Sequence, residues 1–573
     1  MPTALRRTAA CLCPWQKTCL VLGIVGSLAW TAQSANADSL PAVQQLQDLR
    51  LQREQLEQRQ RLRTLQRSDQ PVPATANADV PAPADSGPCW PVQGVRLAGN
   101  QQLSAAELAD TLRPLITPCI SAARINQMLK AITQHYVQAG YVASRPYLAS
   151  RPVAGGTLDI VIIEGFVESI ELSGPDLPLS LNSAFPTLLG NPLRLTELEQ
   201  GLDQLNRLKA FDLGLDLLPG SSEGATRVVV VPRQINRRWH LGSSVDNRGS
   251  ESTGRERLSL SLGLDSPLQL NDFLQFSTNT TVQTGPGYSR GYGIYYNIPY
   301  GAWSYALGFN QVHYQAPLPG RDLRSSGRSD FYSLGLERSV WRNQQGLLSA
   351  SLRLEHKRLD NRLGDQRLHV QSPTLTSIEA GLNALWLEGG LWSAYLGISQ
   401  GVDGFGADHD VLFRHAPQPH FRKYRASLLH LRQGRDLSWP WRWQSELNLQ
   451  YSPDALPAVE QQLLSDSTGV RGFRQQVISA ASGAIWRNTL SQPLALDLPR
   501  SLVLRPQLGV DMGWSKFDHG KPPQRALGAH SGVELSLPGS RLTLDYQRAL
   551  YASATHRQQL ESGYWMLEWV LNI

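Results

Sequence analysis

Residues 565–573 read WMLEWVLNI. Trp565, Leu567, Trp569, Leu571 and Ile573 occupy alternate positions, so a β-strand puts all of them on one face. The same pattern recurs upstream. Leu258, Leu260, Leu262 and Leu264 alternate with Ser259, Ser261 and Gly263. Trp303, Tyr305, Leu307 and Phe309 alternate with Ser304, Ala306, Gly308 and Asn310. Leu348, Ala350, Leu352 and Leu354 alternate with Ser349, Ser351, Arg353 and Glu355; Leu542, Leu544 and Tyr546 alternate with Thr543, Asp545 and Gln547. From Gln234 to Ile573 such two-faced strands dominate, and helix signals nearly vanish.

A two-faced strand serves a soluble sandwich or a membrane barrel. In a sandwich the apolar face is the core; in a barrel it meets lipid and the polar face lines a wet lumen. Residues 234–573 make too long a run for one sandwich. With strands of about 10 residues plus connections they give roughly 16 strands, an even number of the kind single-chain bacterial barrels have. A barrel of that size leaves an aqueous channel unless something fills it. The chain has 15 Trp and 17 Tyr and no later segment apolar enough for a spanning helix, which fits the same class. The last strand, with aromatics on its outer face, is how such barrels close.

The start of the chain reads as an export signal, residues 1–37. Arg6, Arg7 and Lys17 make it basic, an apolar run follows from Cys19 to Trp30, and Ala35-Asn36-Ala37 offers a cleavage site. The run falls short of the ~20 apolar residues of a membrane anchor. Losing those three cations lowers the formal net charge from +6 by three, to +3. That is too weak for nucleic-acid binding, and no basic run supports it. Cys11, Cys13 and Cys19 leave with the signal. Cys89 and Cys119 remain in an oxidising compartment, where a structural disulfide is expected and two thiols alone make a poor zinc site.

Between signal and barrel, Ser39 to Arg67 reads as a helix, within a segment 38–67. Its leucines form no wide stripe, so it is polar nearly all round and not a core helix. The residues alone leave a weak coiled coil or a frayed linker open. Residues 68–88, with Pro71, Pro73, Pro81 and Pro83, make an extended linker. Residues 89–164 then run β-α-α-β-β: a strand at Trp90 to Ala98, a helix opened by Ser104 with Glu107 in a capping box, a helix from Ser121 to Gln138, and strands at Tyr141 to Leu148 and Thr157 to Ile163. Residues 165–233 repeat the order, with strands at Val167 to Leu172, Leu213 to Leu218 and Arg227 to Val231 and a helix from Thr196 to Ala210.

The most informative stretch inside the barrel is 465–490, SDSTGVRGFRQQVISAASGAIWRNTL. It holds Val470-Arg471-Gly472-Phe473, begins too polar for a strand, and becomes one near Ala484. Further on, Asp511-Met512-Gly513 lies in an alternating strand. With the layout above, these motifs make the chain resemble the two-partner (type Vb) secretion transporters, the haemolysin-activator and filamentous-haemagglutinin-transporter family, of the same superfamily as the barrel-assembly insertase. The resemblance covers essentially all of the mature chain. It extends to Asp246-Asn247-Arg248-Gly249, Thr253-Gly254 and Asn271-Asp272. Two places depart from the family pattern. Ala480-Ala481-Ser482-Gly483 stands for Gly-Asp-x-Gly, and Arg487-Asn488-Thr489-Leu490 for Arg-Asn-Glu-Leu, each lacking an acid.

The resemblance implies a mainly β protein: a 16-stranded transmembrane antiparallel β-barrel preceded by an N-terminal helix and two α+β POTRA (polypeptide-transport-associated) domains. It implies a plug role for the helix. It also implies a sixth extracellular loop that folds into the lumen, where Arg471 is expected to pair with Asp511 beside Gly513. Arg supplies a planar fork that a carboxylate can hold twice; Gly472 allows the tight turn, and Phe473 is expected to pack on a wall aromatic. The implied partner is a large secreted exoprotein, bound unfolded by the POTRA domains and in some cases activated in transit. Outer-membrane lipid is the other partner, and the expected state is a monomer in the outer membrane with its N-terminal domains in the periplasm. An insertase usually carries more repeats, and a passive porin has no use for them. Gly397-Ile398-Ser399-Gln400-Gly401 fits a hydrolase pattern, but that pattern needs a strand-turn-helix and here loop follows the strand. No catalytic residues, cofactor or metal are expected.

Overall fold

The computed structural model describes residues 54–58, 60, 61, 88–282, 285–318, 322–343, 345–409, 417–436, 439–465, 468–474, 478–496, 502–516, 523–553 and 560–573. The expected signal, nearly all of the linker and most of the expected helix 38–67 lie outside these residues.

The first periplasmic unit begins with Cys89–Pro91, antiparallel to Cys119–Ser121, and the Cys89–Cys119 disulfide joins the pair. Strand Gly94–Ala98 then runs parallel to Thr157–Ile163, with Arg145–Leu148 antiparallel on its other side. The single strand expected over Trp90 to Ala98 is therefore two, in separate sheets, because the disulfide side draws Cys89–Pro91 away. Helix Ala105–Leu112 carries the capping box: Glu107 N donates to Ser104 Oγ (3.3 Å) and Ser104 N to Glu107 Oε2 (2.8 Å). Those bonds to Ser104 hold the Glu107 carboxyl below its usual range. Helix Ala122–Gln138, capped by Ser121, buries Ile125, Met128, Ile132 and Tyr136 on one face. These pack with Leu108, Leu112, Leu158, Ile160 and Ile162 in one apolar core. Each such burial is worth about 1.5–3 kcal/mol. Tyr141 folds into that core, so the strand expected from Tyr141 begins only at Arg145.

The second unit repeats the plan. Phe166–Leu172 lies parallel to Ala225–Ile235, and Phe211–Pro219 antiparallel to it. Its main helix is Leu195–Asn206, four residues shorter at its end than the expected Thr196 to Ala210. Asn206 stops it: its amide donates to Leu213 O (2.9 Å) and accepts from Leu213 N (2.8 Å), tying the helix end to the next strand.

The barrel starts at Trp239–Asp246 and ends at Tyr564–Asn572, and these two strands pair antiparallel from Glu568↔Asp246 to Asn572↔Gly242, closing the sheet. Sixteen antiparallel strands form the wall; the short strands Gln366–Arg367 and Leu494–Leu496 extend two hairpins. Leu260, Leu307, Leu334, Leu352, Trp565 and Trp569 are exposed on the outside, where only lipid can satisfy them. Among the described residues no helix is long and apolar enough to cross a membrane.

Periplasmic turns of the barrel hold the second unit. Asn271, at a positive φ of 59°, accepts from Ser180 N (3.0 Å) and donates to Ser180 O (2.8 Å) and Ser183 Oγ (2.9 Å). Asp272 fixes that turn by accepting from Leu268 N and from the Tyr296 hydroxyl (3.0 Å). Arg342 donates to Glu199 Oε2 (2.7 Å) and also pairs with Asp203, both on the Leu195–Asn206 helix.

Candidate transport pore

The segment between strands Trp439–Tyr451 and Ser482–Ser491 is the sixth loop at the barrel end opposite the periplasmic units. It enters the lumen and is gripped at its tip. Arg471 donates from Nε to Asp511 Oδ2 and from a terminal nitrogen to Oδ1, both at 2.6 Å; its backbone N–H reaches Oδ2 at 3.0 Å. Asp511 is fully buried on strand Leu502–Lys516. Thr489, standing where the family pattern has an acid, accepts a further bond from Arg471 (3.1 Å). A neutral hydroxyl replaces a charge there, and the guanidinium keeps one carboxylate as its counter-ion in this grip.

Glycines make the bed for this tip. Gly472 sits at φ +100°, and a Cβ there would lie 2.3 Å from Arg548 C. A Cβ on Gly528 would lie 1.8 Å from Arg471 O, and one on Gly513 2.7 Å from Val470 Cγ2. Val470 and Phe473 are wholly buried, in a cluster with Leu464, Ile485, Ala526 and Ala549. The wall aromatic expected for Phe473 is replaced by this aliphatic cluster, which small wall residues open deep enough to take a ring. At the other departure, Ala480 and Ala481 are buried apolar residues, and Ser482 Oγ donates to Ser452 O (3.2 Å), so packing holds the loop where the family pattern has an acid.

Sequence reasoning missed a second grip. Glu460, in the short turn Ala458–Glu460, is buried between Lys423 (Nζ to Oε2, 2.5 Å) and Lys357. Lys357 also meets Glu355 at 3.1 Å, so two acids face two lysines, all at most 4 % exposed. The lysines lie on strands Gly346–Leu363 and Arg422–Asp436, away from Asp511 on Leu502–Lys516. A lysine at an inward strand position and an acid just ahead of the VRGF tetrapeptide were visible signals, but their pairing depends on the barrel's closure.

Residues 54–58, 60 and 61 are helical and sit in the lumen. Arg61 donates to both carboxylate oxygens of Glu337 (3.0 and 2.6 Å) and to Asn383 Oδ1 (3.1 Å). Arg353 donates to Glu57 (3.0 Å), Arg425 to Glu54 (3.4 Å), and Gln58 to Ser393 Oγ (3.2 Å). These partners are all polar, and Leu56 adds one apolar contact to the core of the second periplasmic unit, so polar pairs carry most of the hold on this helix. Gly397 to Gly401 lies within strand Leu391–Gly401, without the turn and helix a nucleophile elbow needs.

A closed sixteen-stranded barrel, occupied by a gripped loop and a helix and carrying two periplasmic β-α-α-β-β units, defines an outer-membrane protein transporter. Residues 224–535 match the family described as haemolysin secretion/activation protein ShlB/FhaC/HecB. Residues 90–165 match the POTRA domain of ShlB type, and 166–219 a further POTRA domain. The hemolysin transporter ShlB of Serratia marcescens is 35% identical over 83% of this chain and 83% of its own. HpmB of Proteus mirabilis, also a hemolysin transporter, is 33% identical over 80% of this chain and 82% of its own. The structure of CdiB from Escherichia coli superposes with a TM-score of 0.83 at 27% identity, covering 93% of this chain and 99% of that one. The chain belongs to the ShlB/FhaC/HecB haemolysin secretion/activation family, and it is an outer-membrane two-partner secretion transporter with periplasmic POTRA domains.

Proposed function

We propose that the partner exoprotein, of haemolysin, haemagglutinin or adhesin type, arrives unfolded at the POTRA sheets and threads the barrel as a monomeric transporter. Each sheet has a strand at its edge, Arg145–Leu148 in the first and Phe211–Pro219 in the second, that can accept an extended client strand through backbone hydrogen bonds. The helix at 54–61 gives way to the client. Folding of the client outside supplies direction, with no nucleotide needed. No catalytic step is assigned, and Arg471, Gly472, Asp511 and Gly513 act by holding the loop.

The observation that carries this reading is the helix in the lumen, held mainly by polar pairs with one apolar contact at Leu56, so that a competing chain can replace it. Co-expression with a neighbouring large β-helical exoprotein tests it. The exoprotein reaches the medium only when this chain is present; release in its absence contradicts the reading.

A further inference from the structure

Strands Leu391–Gly401 and Arg422–Asp436 are joined at the external end by residues 402–421. The two limbs of this connection bring Asp403, His409 and His420 together. His409 Nδ1 lies 2.7 Å from Asp403 Oδ1, and His420 Nε2 meets the same oxygen. Among the described residues this is the group of acids, histidines and cysteines whose donor atoms converge, all within 4.8 Å of one another. Sequence reasoning named no metal ligand, because 403, 409 and 420 match no compact spacing.

We propose that Asp403, His409 and His420 form a binding site for a zinc-class divalent cation that clips the two limbs of this loop together. Two imidazole nitrogens and one carboxylate oxygen are a borderline donor set. It suits Zn²⁺ and its transition-metal neighbours, and disfavours Ca²⁺ and Mg²⁺, which take oxygen ligands. Bonds near 2.0–2.2 Å in a tetrahedron put donors ~3.3 Å apart. The two histidine–aspartate contacts need to open only slightly to admit the ion. Each imidazole then binds the metal through the nitrogen that faces Asp403, and the proton on that nitrogen passes by way of solvent to the other ring nitrogen, so each ring stays a neutral ligand.

The limbs are held independently of any ion. Val402 N donates to Thr376 O (2.8 Å), Thr376 Oγ1 to Gly404 O (2.8 Å), and Asp408 N to Thr374 O (2.9 Å). On the other limb, Gly401 N donates to Phe421 O (2.8 Å), and Phe421 is fully buried. Gly404, Phe405 and Gly406, all at positive φ, reverse the chain so that His409 returns to Asp403. The donors themselves are 41–65 % exposed, which leaves room for water to complete the coordination.

The test uses the full chain in detergent, freed of metal, titrated calorimetrically with ZnCl₂ and by visible absorption with CoCl₂. The chain has 12 histidines, so the comparison is with Asp403→Asn and His420→Ala, whose barrels are checked by heat-dependent gel migration. Wild type binds one equivalent of Zn²⁺ that both variants lose, and Co²⁺ at that site shows tetrahedral d–d bands that CaCl₂ does not displace. Equal Zn²⁺ uptake by wild type and both folded variants overturns the proposal.

Discussion

Two elements occupy the lumen, and they are held by opposite means. The tip of the sixth loop brings a buried Arg471–Asp511 pair, a second buried grip at Glu460, three close-fitting glycines and an apolar cluster around Phe473. The helix at 54–61 brings polar pairs in a channel, with Arg61 20% and Glu337 26% exposed. Breaking a buried pair from one side leaves an unpaired charge and costs about 3–5 kcal/mol. The helix pairs keep up to about a quarter of their side-chain surface in the channel, so water takes up part of the charge that breaking one leaves behind. The loop tip is thus latched by fully buried charge, tight glycines and an apolar cluster, while the proposed plug rests on part-buried polar pairs and a single apolar contact.

The largest expected effect is at the latch. Arg471→Ala lowers stability in detergent by ~3–5 kcal/mol, read from denaturant unfolding, and abolishes release of the partner. Arg471→Lys restores little, since an ammonium cannot span both carboxylate oxygens. A variant as stable and active as wild type breaks the comparison on the loop side. Next comes the glycine bed. Gly528→Ala puts a methyl against Arg471 O and costs ~1–3 kcal/mol by overpacking, read in the same unfolding assay with Asp511 intact.

On the helix side, Glu337→Gln weakens the grip on Arg61 by ~1–3 kcal/mol, a shift of about fivefold or more toward the unplugged state. Planar-bilayer recordings show it as a raised fraction of open time, and deletion of residues 38–67 as permanent high conductance. Unchanged conductance in the deletion removes the plug from the account. The smallest effect is Thr489→Val, which removes a supporting bond to Arg471 and costs about 0.5–1.5 kcal/mol.

The sequence made the barrel legible because its period-two faces need only neighbouring residues to be read, as in Leu258 to Leu264 or Trp565 to Ile573. The repeated β-α-α-β-β order was legible for the same reason, although the Cys89–Pro91 strand and the early end at Asn206 were not. Both of those depend on a partner distant along the chain or on one side chain's amide. At the pore, Arg471 and Asp511 stood out through the motifs around them. Glu460 with Lys357 and Lys423 did not, because residues separated by 103 and 37 positions meet only once the barrel has closed. The small wall residues that admit Phe473 were equally silent: Ala526 and Ala549 read as ordinary strand positions until the loop lies on them.

The sharpest test of exchangeable helix against latched loop is a reversible tether. Gln58 Nε2 lies 3.2 Å from Ser393 Oγ, so Gln58→Cys with Ser393→Cys, joined by a short thiol-reactive cross-linker that a reductant cleaves, ties helix to wall. The account predicts that the cross-linked variant stays in the low-conductance state and does not release the partner exoprotein, and that a reductant restores wild-type gating and release. Release at the wild-type rate with the tether closed contradicts it.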